Sequence, residues 1–529
     1  MEGRSDVHHS VFLAQIFNAR SDESLTHPRE MMLRLLLFFT LSLMTTTAVA
    51  QQPAEGDSPE LEVYPLAELL DPLKEDRLFS SADIGIQVVN VATGEEVYAY
   101  RADENFLPAS VMKVVTAAAA LRSLGPAYRF TTAVLRDEEA EIDAEGTLVG
   151  NLYIWGGGDP QLVVEQIWKM ARELKLAGVN KVDGDLVFDS EYFDDEYLIA
   201  GWNKKVDITN GPAYFAPISA LTVNYNTTAI VVAPGPEAGE PARVELETPV
   251  DLFTLENTVT TGRLGSRPWM TIERDVNWKT GEITFTMEGN IPMGEEPWRY
   301  YRAVADPKTH FMDVFEEMMA AHGITVTGRS RLARAPTDTV ALVSWKSPSL
   351  QDLLNQMNKN SSNIIAEQVL KAMGAEVHGA PGTTEKGLQV ISDYLTSLGI
   401  PAEETSLVNG SGLSRQLTLR PSHITAVLMD MYHDRQVGAE FLASLSVGGQ
   451  DGTLRRRFND DEQAGRVRGK TGSVNGVYCL AGFIDAGDGE VYAFSFLVNN
   501  FSRSSRPVRR LQNRFGESLL ELPAPEDSP

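Results

Sequence analysis

Ser110 and Lys113 stand three positions apart in the stretch NFLPASVMKVVTAAAALRSLG, residues 105–125. A serine hydroxyl becomes a nucleophile only when a neighbouring base takes its proton, and a lysine amine can do so once its pKa is lowered. Residues three apart share one face of a helix. The surrounding Val, Met, Ala and Leu predict a buried helix, entered at Pro108-Ala109-Ser110 and left at Gly125-Pro126. An unpaired ammonium is costly there, and deprotonation is the usual escape. The plainer alternative is a helix edge, with Ser110 as N-cap and Lys113 snorkelling to water. No other serine of the chain has a lysine three places after it.

The other polar residues narrow the chemistry. His310, His322, His378, His423 and His433 form no His-x-His or His-Glu-x-x-His pattern, so no metal site is expected. Cys479 is the only cysteine, which excludes an intramolecular disulfide, and its apolar run VYCLAGF predicts a buried strand. WGGGDP (155–160) lacks both a Gly-x-Gly-x-x-Gly pattern and a Walker lysine and reads as a turn. With no Gly-x-Ser-x-Gly, a Ser-His-Asp hydrolase has little support. Two downstream segments remain: NKNSSN, with Ser361-Ser362-Asn363, and GRVRGKTGSVNG, with Lys470-Thr471-Gly472-Ser473. Taken singly, Ser361 and Asn363 would serve as a helix cap and Lys470 as a solvated strand lysine. A second Lys-Thr-Gly at 279–281 precedes Ser361, is followed at once by Glu282, and reads as a hairpin turn.

The elements that must position these residues lie at both ends of the chain. IGIQVVNVATGEEVYAYR (84–101) predicts a hairpin leading into the Ser110 helix, and VYCLAGFIDAGDGEVYAFSFLVNN (477–500) a second hairpin, followed by a helix over 507–522. Strands from both ends can therefore share one antiparallel sheet with helices packed against it. Residues 349–374 read as helical, whereas 130–343 is rich in short strands and turns and reads as a mainly β insertion of two subdomains. At 529 residues, several domains are expected.

MMLRLLLFFTLSLMTTTAVAQQ predicts a secretory signal within residues 1–50, cleaved after Ala50, with Met31 or Met32 as an alternative start. A periplasmic location follows. Residues 51–60 read as a flexible leader and 523–529 as a disordered tail. A net charge of −27 argues against nucleic acid or an anionic membrane as partner.

Ser-x-x-Lys, Ser-x-Asn and Lys-Thr-Gly, in that order behind an export signal, form the signature set of penicillin-binding proteins and class A β-lactamases. The chain resembles the low-molecular-mass class C penicillin-binding proteins, the penicillin-binding protein 4 type of D-alanyl-D-alanine carboxypeptidase and endopeptidase. The likeness spans nearly the whole mature region and includes GGDPQL (157–162), YFAPISALTVNYN (214–226), NGSGLSR (409–415) and QDGTLRRR (450–457). The 251 positions from Ser110 to Ser361 match that family's habit of inserting domains between the first two motifs. Asn409 departs from the family's usual Asp, and Ser362 stands where the family often has Asp or another polar residue.

The resemblance implies an α+β penicillin-binding/serine β-lactamase-like transpeptidase fold, an antiparallel sheet flanked by helices, with mainly β inserted domains. Residues 51–129 and 344–522 would form a discontinuous catalytic domain around the insertion at 130–343. It implies a serine peptidase that hydrolyses D-Ala-D-Ala termini and D-Ala-containing cross-links of peptidoglycan and is acylated by β-lactams. Ser110 would be the nucleophile and Lys113 the general base, its pKa lowered by burial and by a cationic Lys470. Ser361 would relay the proton, and Asn363 would hold Lys113 and the substrate amide. Lys470, Thr471 and Gly472 would bind the terminal carboxylate, with the N–H groups of Ser110 and Ser473 as oxyanion hole. No metal or organic cofactor and no stable membrane anchor is expected, and the inserted domains are candidates to contact other cell-wall enzymes. Two rivals remain: a β-lactamase, for which TTEKG and AEETS offer no recognisable deacylation carboxylate, and a catalytically silent scaffold, against which the intact Ser110, Lys113, Ser361 and Lys470 argue.

Overall fold

Strand Val477–Asp485 places Val477, Cys479, Ala481 and Phe483 in one hydrophobic cluster and Leu480 and Ile484 in another. Successive strand side chains point to opposite faces, so this uninterrupted apolar run needs cover on both sides. In the computed structural model, which describes residues 70–202, 205–248, 250–502 and 504–522, it lies inside a six-stranded antiparallel sheet. The order is Ser446–Val447, Val467–Val474, Val477–Asp485, Val491–Asn499, Asp83–Asn90, Glu96–Tyr100. Strands from the two ends of the chain meet where Asp83–Asn90 pairs with Val491–Asn499, Ile86 opposite Phe496. The signal segment, the leader over 51–60 and the tail 523–529 lie outside the described residues.

One face of the sheet packs on the helix Met112–Leu124 and on helices from 350 to 444. The other is covered by helix Arg506–Leu520, whose Val508, Leu511, Phe515 and Leu519 recur at helical spacing and are buried. Phe515 stands edge-on to Phe496, with ring centroids 5.2 Å apart, and 5.5 Å from Phe494.

The inserted region leaves and returns through one antiparallel pair, Thr131–Asp137 with Thr339–Lys346, at the edge of a five-stranded sheet. It holds two hydrophobic clusters of its own, one around Phe188, Phe311 and Phe315, the other around Phe253, Phe285 and Met287. Alongside its strands it carries the helices Val164–Leu176 and Pro307–Ala321, more helix than the turn-rich sequence suggests. Their apolar residues cover the five-stranded sheet. Nor is the region separate from the rest of the fold throughout: Phe193, Ile199, Trp202, Phe215 and Ile218 join the cluster that surrounds the helix Met112–Leu124. The Lys-Thr-Gly at 279–281 is the turn between strands Trp269–Val276 and Ile283–Pro292, with Lys279 and Thr280 exposed and Gly281 buried at φ 80°.

Replacing Phe515 by Ala should leave a cavity against Phe494 and Phe496 and cost about 3–5 kcal/mol. Denaturant unfolding should show a lower midpoint at unchanged slope.

Candidate active site

Ser110 lies in a short 3-10 turn, Ala109–Val111, that runs directly into the helix Met112–Leu124. Neither start has a side-chain cap, so the Ser110 hydroxyl is not spent on the backbone. Gly125, at φ 78°, ends the helix. Lys113 does not snorkel: it is 0 % exposed. Its Nζ donates to Ser110 Oγ at 3.0 Å, to Asn363 Oδ1 at 2.7 Å and to the Ser411 carbonyl at 2.7 Å.

The helical run after 349 breaks where the second motif stands. Helix Leu350–Lys359 ends, Ser361 takes φ 57°, and helix Asn363–His378 begins. The cap expected of Ser361 and Asn363 falls instead to Ser362, whose Oγ accepts from Ile365 N at 3.5 Å. A helix N-cap needs the residue immediately before the first turn, so both motif residues keep their polar atoms for other partners. Ser361 Oγ accepts from Lys470 Nζ at 2.9 Å, while Asn363 Nδ2 donates to the Tyr214 carbonyl at 2.8 Å.

Lys470 and Thr471 sit on strand Val467–Val474, both buried, and Lys470 Nζ also donates to the Thr471 carbonyl at 2.7 Å. Gly472 permits the strand to lie against the Ser110 turn: a Cβ there would stand 2.5 Å from the Pro108 carbonyl oxygen and 3.1 Å from Ser110 N. Ser473, exposed, follows at the end of the strand, opposite Tyr478. Hydrogen bonds join Ser110, Lys113 and Asn363 in one set and Ser361 and Lys470 in another, with Thr471, Gly472 and Ser473 continuing along one edge.

Three neighbours were not singled out from the sequence as site residues: Ser411, Gly412 and Glu367. The loop 409–412 closes over the Ser110 helix, its Gly410 carbonyl accepting from Thr116 Oγ1 at 2.7 Å. A Cβ on Gly412 (φ 77°) would fall 1.9 Å from the Ala109 carbonyl oxygen, so this approach demands glycine. Asn409 ties the loop both ways, accepting from Gly412 N at 2.9 Å and donating to the Ala200 carbonyl at 2.8 Å. A carboxylate could not make the second bond. Glu367, 3 % exposed, accepts from Ser411 N at 2.8 Å and Gly410 N at 3.2 Å. The signal available for the loop was the NGSGLSR segment; for Glu367 there was none, because one acidic residue in an apolar helix looks like a solvated position.

Burial pulls the Lys113 amine down to about 7, and the Glu367 carboxylate opposes that shift. Lys470 is pushed well below the ordinary lysine value, by burial first and by the Lys113 charge second. Of the two causes expected for Lys113, burial lowers it, and the repulsion between the two amines falls on Lys470. Among the described residues, no group of three or more His, Cys, Asp and Glu side chains could hold a metal ion.

A family model described as the D-Ala-D-Ala carboxypeptidase 3 (S13) family matches residues 66–514. The chain belongs to that family. It is 34% identical over 489 residues to the D-alanyl-D-alanine carboxypeptidase of Actinomadura sp. (strain R39), covering 90% of this chain and 88% of the relative. Against the D-alanyl-D-alanine carboxypeptidase DacB of Haemophilus influenzae it is 26% identical over 430 residues, covering 80% and 87%. The crystal structure of penicillin-binding protein 4 from H. influenzae superposes with a TM-score of 0.74 at 25% identity, over 85% of this chain and 99% of that one. A second structure of that protein, complexed with a novel β-lactam, gives 0.69. The S13 chain described here is accordingly a D-Ala-D-Ala carboxypeptidase with the penicillin-binding fold.

In protein labelled with 13C at lysine Cε, one amine should titrate near pH 7, and Lys113→Met should remove that resonance. A Lys113 titrating near 10 would contradict the buried geometry.

Proposed function

We propose that this S13 carboxypeptidase works through a Ser110 acyl-enzyme, with Lys113 as general base. The observation that carries this reading is the Lys113 amine, fully buried and 3.0 Å from Ser110 Oγ. With a pKa of about 7 it is partly neutral at that pH and can take the Ser110 proton as Oγ attacks the carbonyl carbon of the penultimate D-Ala. The oxyanion is held by the N–H groups of Ser110 and Ser473, each such donor being worth about 3 kcal/mol in the transition state. The C–N bond then breaks. The proton on Lys113 passes through Ser361 to the leaving amine, and terminal D-Ala departs. Asn363 keeps Lys113 aimed and receives the substrate amide. Water releases the acyl group from Ser110, returning a proton through Lys113.

Lys470, Thr471 and Gly472 form the carboxylate end of this reading. An anionic terminus entering beside Lys470 favours its ammonium and opposes the burial that lowers its pKa. The same groups would receive the carboxylate of a β-lactam, whose ring carbonyl stands in for the peptide carbonyl. A cross-link with a free D-Ala carboxylate offers the same bond in a longer leaving group, so endopeptidase action on peptidoglycan follows from the same steps. Such a substrate lies outside the cytoplasm, in keeping with the Arg34–Ala50 export signal and a periplasmic site of action. The segment 130–343 is read as an inserted region of two subdomains and as the candidate to contact other cell-wall enzymes.

The mature protein and its Ser110→Ala variant, incubated with a fluorescent penicillin, test the reading. A lasting covalent label on the native protein alone is expected, together with release of D-Ala from a D-Ala-D-Ala peptide by the native protein only. A label lost within seconds as antibiotic is consumed would identify a β-lactamase, and no label on either protein would leave a silent scaffold. The acylation rate should rise with pH through about 7, as Lys113 loses its proton.

A further inference from the structure

Glu367 is a carboxylate in a place where a carboxylate is costly. It sits one turn after Asn363 on helix Asn363–His378, among the buried residues Ile364, Ile365, Ala366 and Gln368. A packing role alone would be met by an apolar residue without the desolvation cost. Its oxygens instead accept from the backbone of the loop that reaches Lys113: Ser411 N at 2.8 Å and Gly410 N at 3.2 Å. The next carbonyl of that loop, on Ser411, is the 2.7 Å acceptor of Lys113 Nζ. One helix thus holds Lys113 twice, directly through Asn363 Oδ1 and indirectly through Glu367 and the loop.

We infer that Glu367 is a positioning residue for the Ser110 chemistry: it fixes the Ser411 carbonyl against the Lys113 amine and supplies the counter-charge to the ammonium that forms when Lys113 takes the Ser110 proton. The inference rests on the reading of Lys113 as base. The charged groups facing Lys113 are Glu367 from its helix and Lys470 from strand Val467–Val474; Ser110, Asn363 and Ser411 complete its surroundings with neutral groups. Of the two, Glu367 is the one that favours the Lys113 ammonium, while the repulsion between the two amines falls on Lys470. The effect has a definite sign. A nearby carboxylate favours the ammonium, so its removal lets Lys113 reach the neutral form at lower pH and makes proton uptake during attack less favourable.

The test is the pH dependence of acylation by a fluorescent penicillin, measured for the native protein, Glu367→Gln, Glu367→Asp and Lys113→Met. Glu367→Gln should move the acid limb about one pH unit lower and reduce the plateau rate about tenfold or more. Glu367→Asp keeps the charge but shortens the reach, so its limb should stay in place while its plateau falls. Equal plateau losses in both variants, with neither limb moved, would reduce Glu367 to a structural group and overturn the inference. If Glu367→Gln does not fold, Glu367→Asp decides, and a displaced limb in that variant overturns it. Failure of the underlying reading looks different: Lys113→Met would acylate with the native rate and limb.

Discussion

The site depends on one constraint: the amine of Lys113 must be kept from water and still be given acceptors. An isolated ammonium in a protein interior costs several kcal/mol, and Lys113 is enclosed by Val, Met and Ala from its own helix. The protein meets the constraint with a hydroxyl, an amide oxygen and a carbonyl, drawn from three separate parts of the chain. Each acceptor also has another purpose in the reading given above. The hydroxyl belongs to the nucleophile, the amide to the helix that faces the substrate, and the carbonyl to the loop that closes the back of the site. Satisfying the lysine and assembling the site are the same act of folding.

That assembly carries backbone strain. Ala109 and Ser361 have φ of 46° and 57°, a left-handed region that costs a residue with a Cβ about 1–3 kcal/mol. They stand immediately before Ser110 and at the head of the second motif, where the chain must turn to present a hydroxyl. The surrounding packing over-determines both. Gly412 and Gly472 let a loop and a strand come within contact of the Ala109 turn, and Lys470 holds the Ser361 hydroxyl from across the cleft. The core formed by helix Met112–Leu124 and its neighbours is extensive enough to offset such local costs.

The inserted region takes part in this arrangement. Its Tyr214 carbonyl receives Asn363 Nδ2, and Gln368 Nε2 donates to the Ser219 carbonyl and Thr222 Oγ1, each at 2.7 Å. The amide of Asn363 is therefore oriented from both sides, with Lys113 on its oxygen and the insertion on its nitrogen. A long interruption between the first two motifs is tolerated because its ends leave and return as adjacent antiparallel strands. The cost of closing such a loop grows slowly with its length.

Much of this was legible in the order of residues. Apolar runs interrupted by turn residues dictated the two terminal hairpins and the closing helix, since such runs have no stable state in water except a sheet covered on both faces. The spacing of Ser110 and Lys113, with Ser361, Asn363 and Lys470 in order behind them, was enough to identify the family and to nominate the reacting set. Tertiary structure alone decided the rest. Whether Ser361 or Ser362 caps the helix depends on a single backbone turn. How far the Lys113 amine is lowered depends on the burial and the Glu367 charge that folding sets around it. Glu367 was invisible because its significance lies in a loop more than forty residues away. Periodicity and motif order record what each segment must do locally, whereas the energies of buried charges are set by neighbours that only folding brings near.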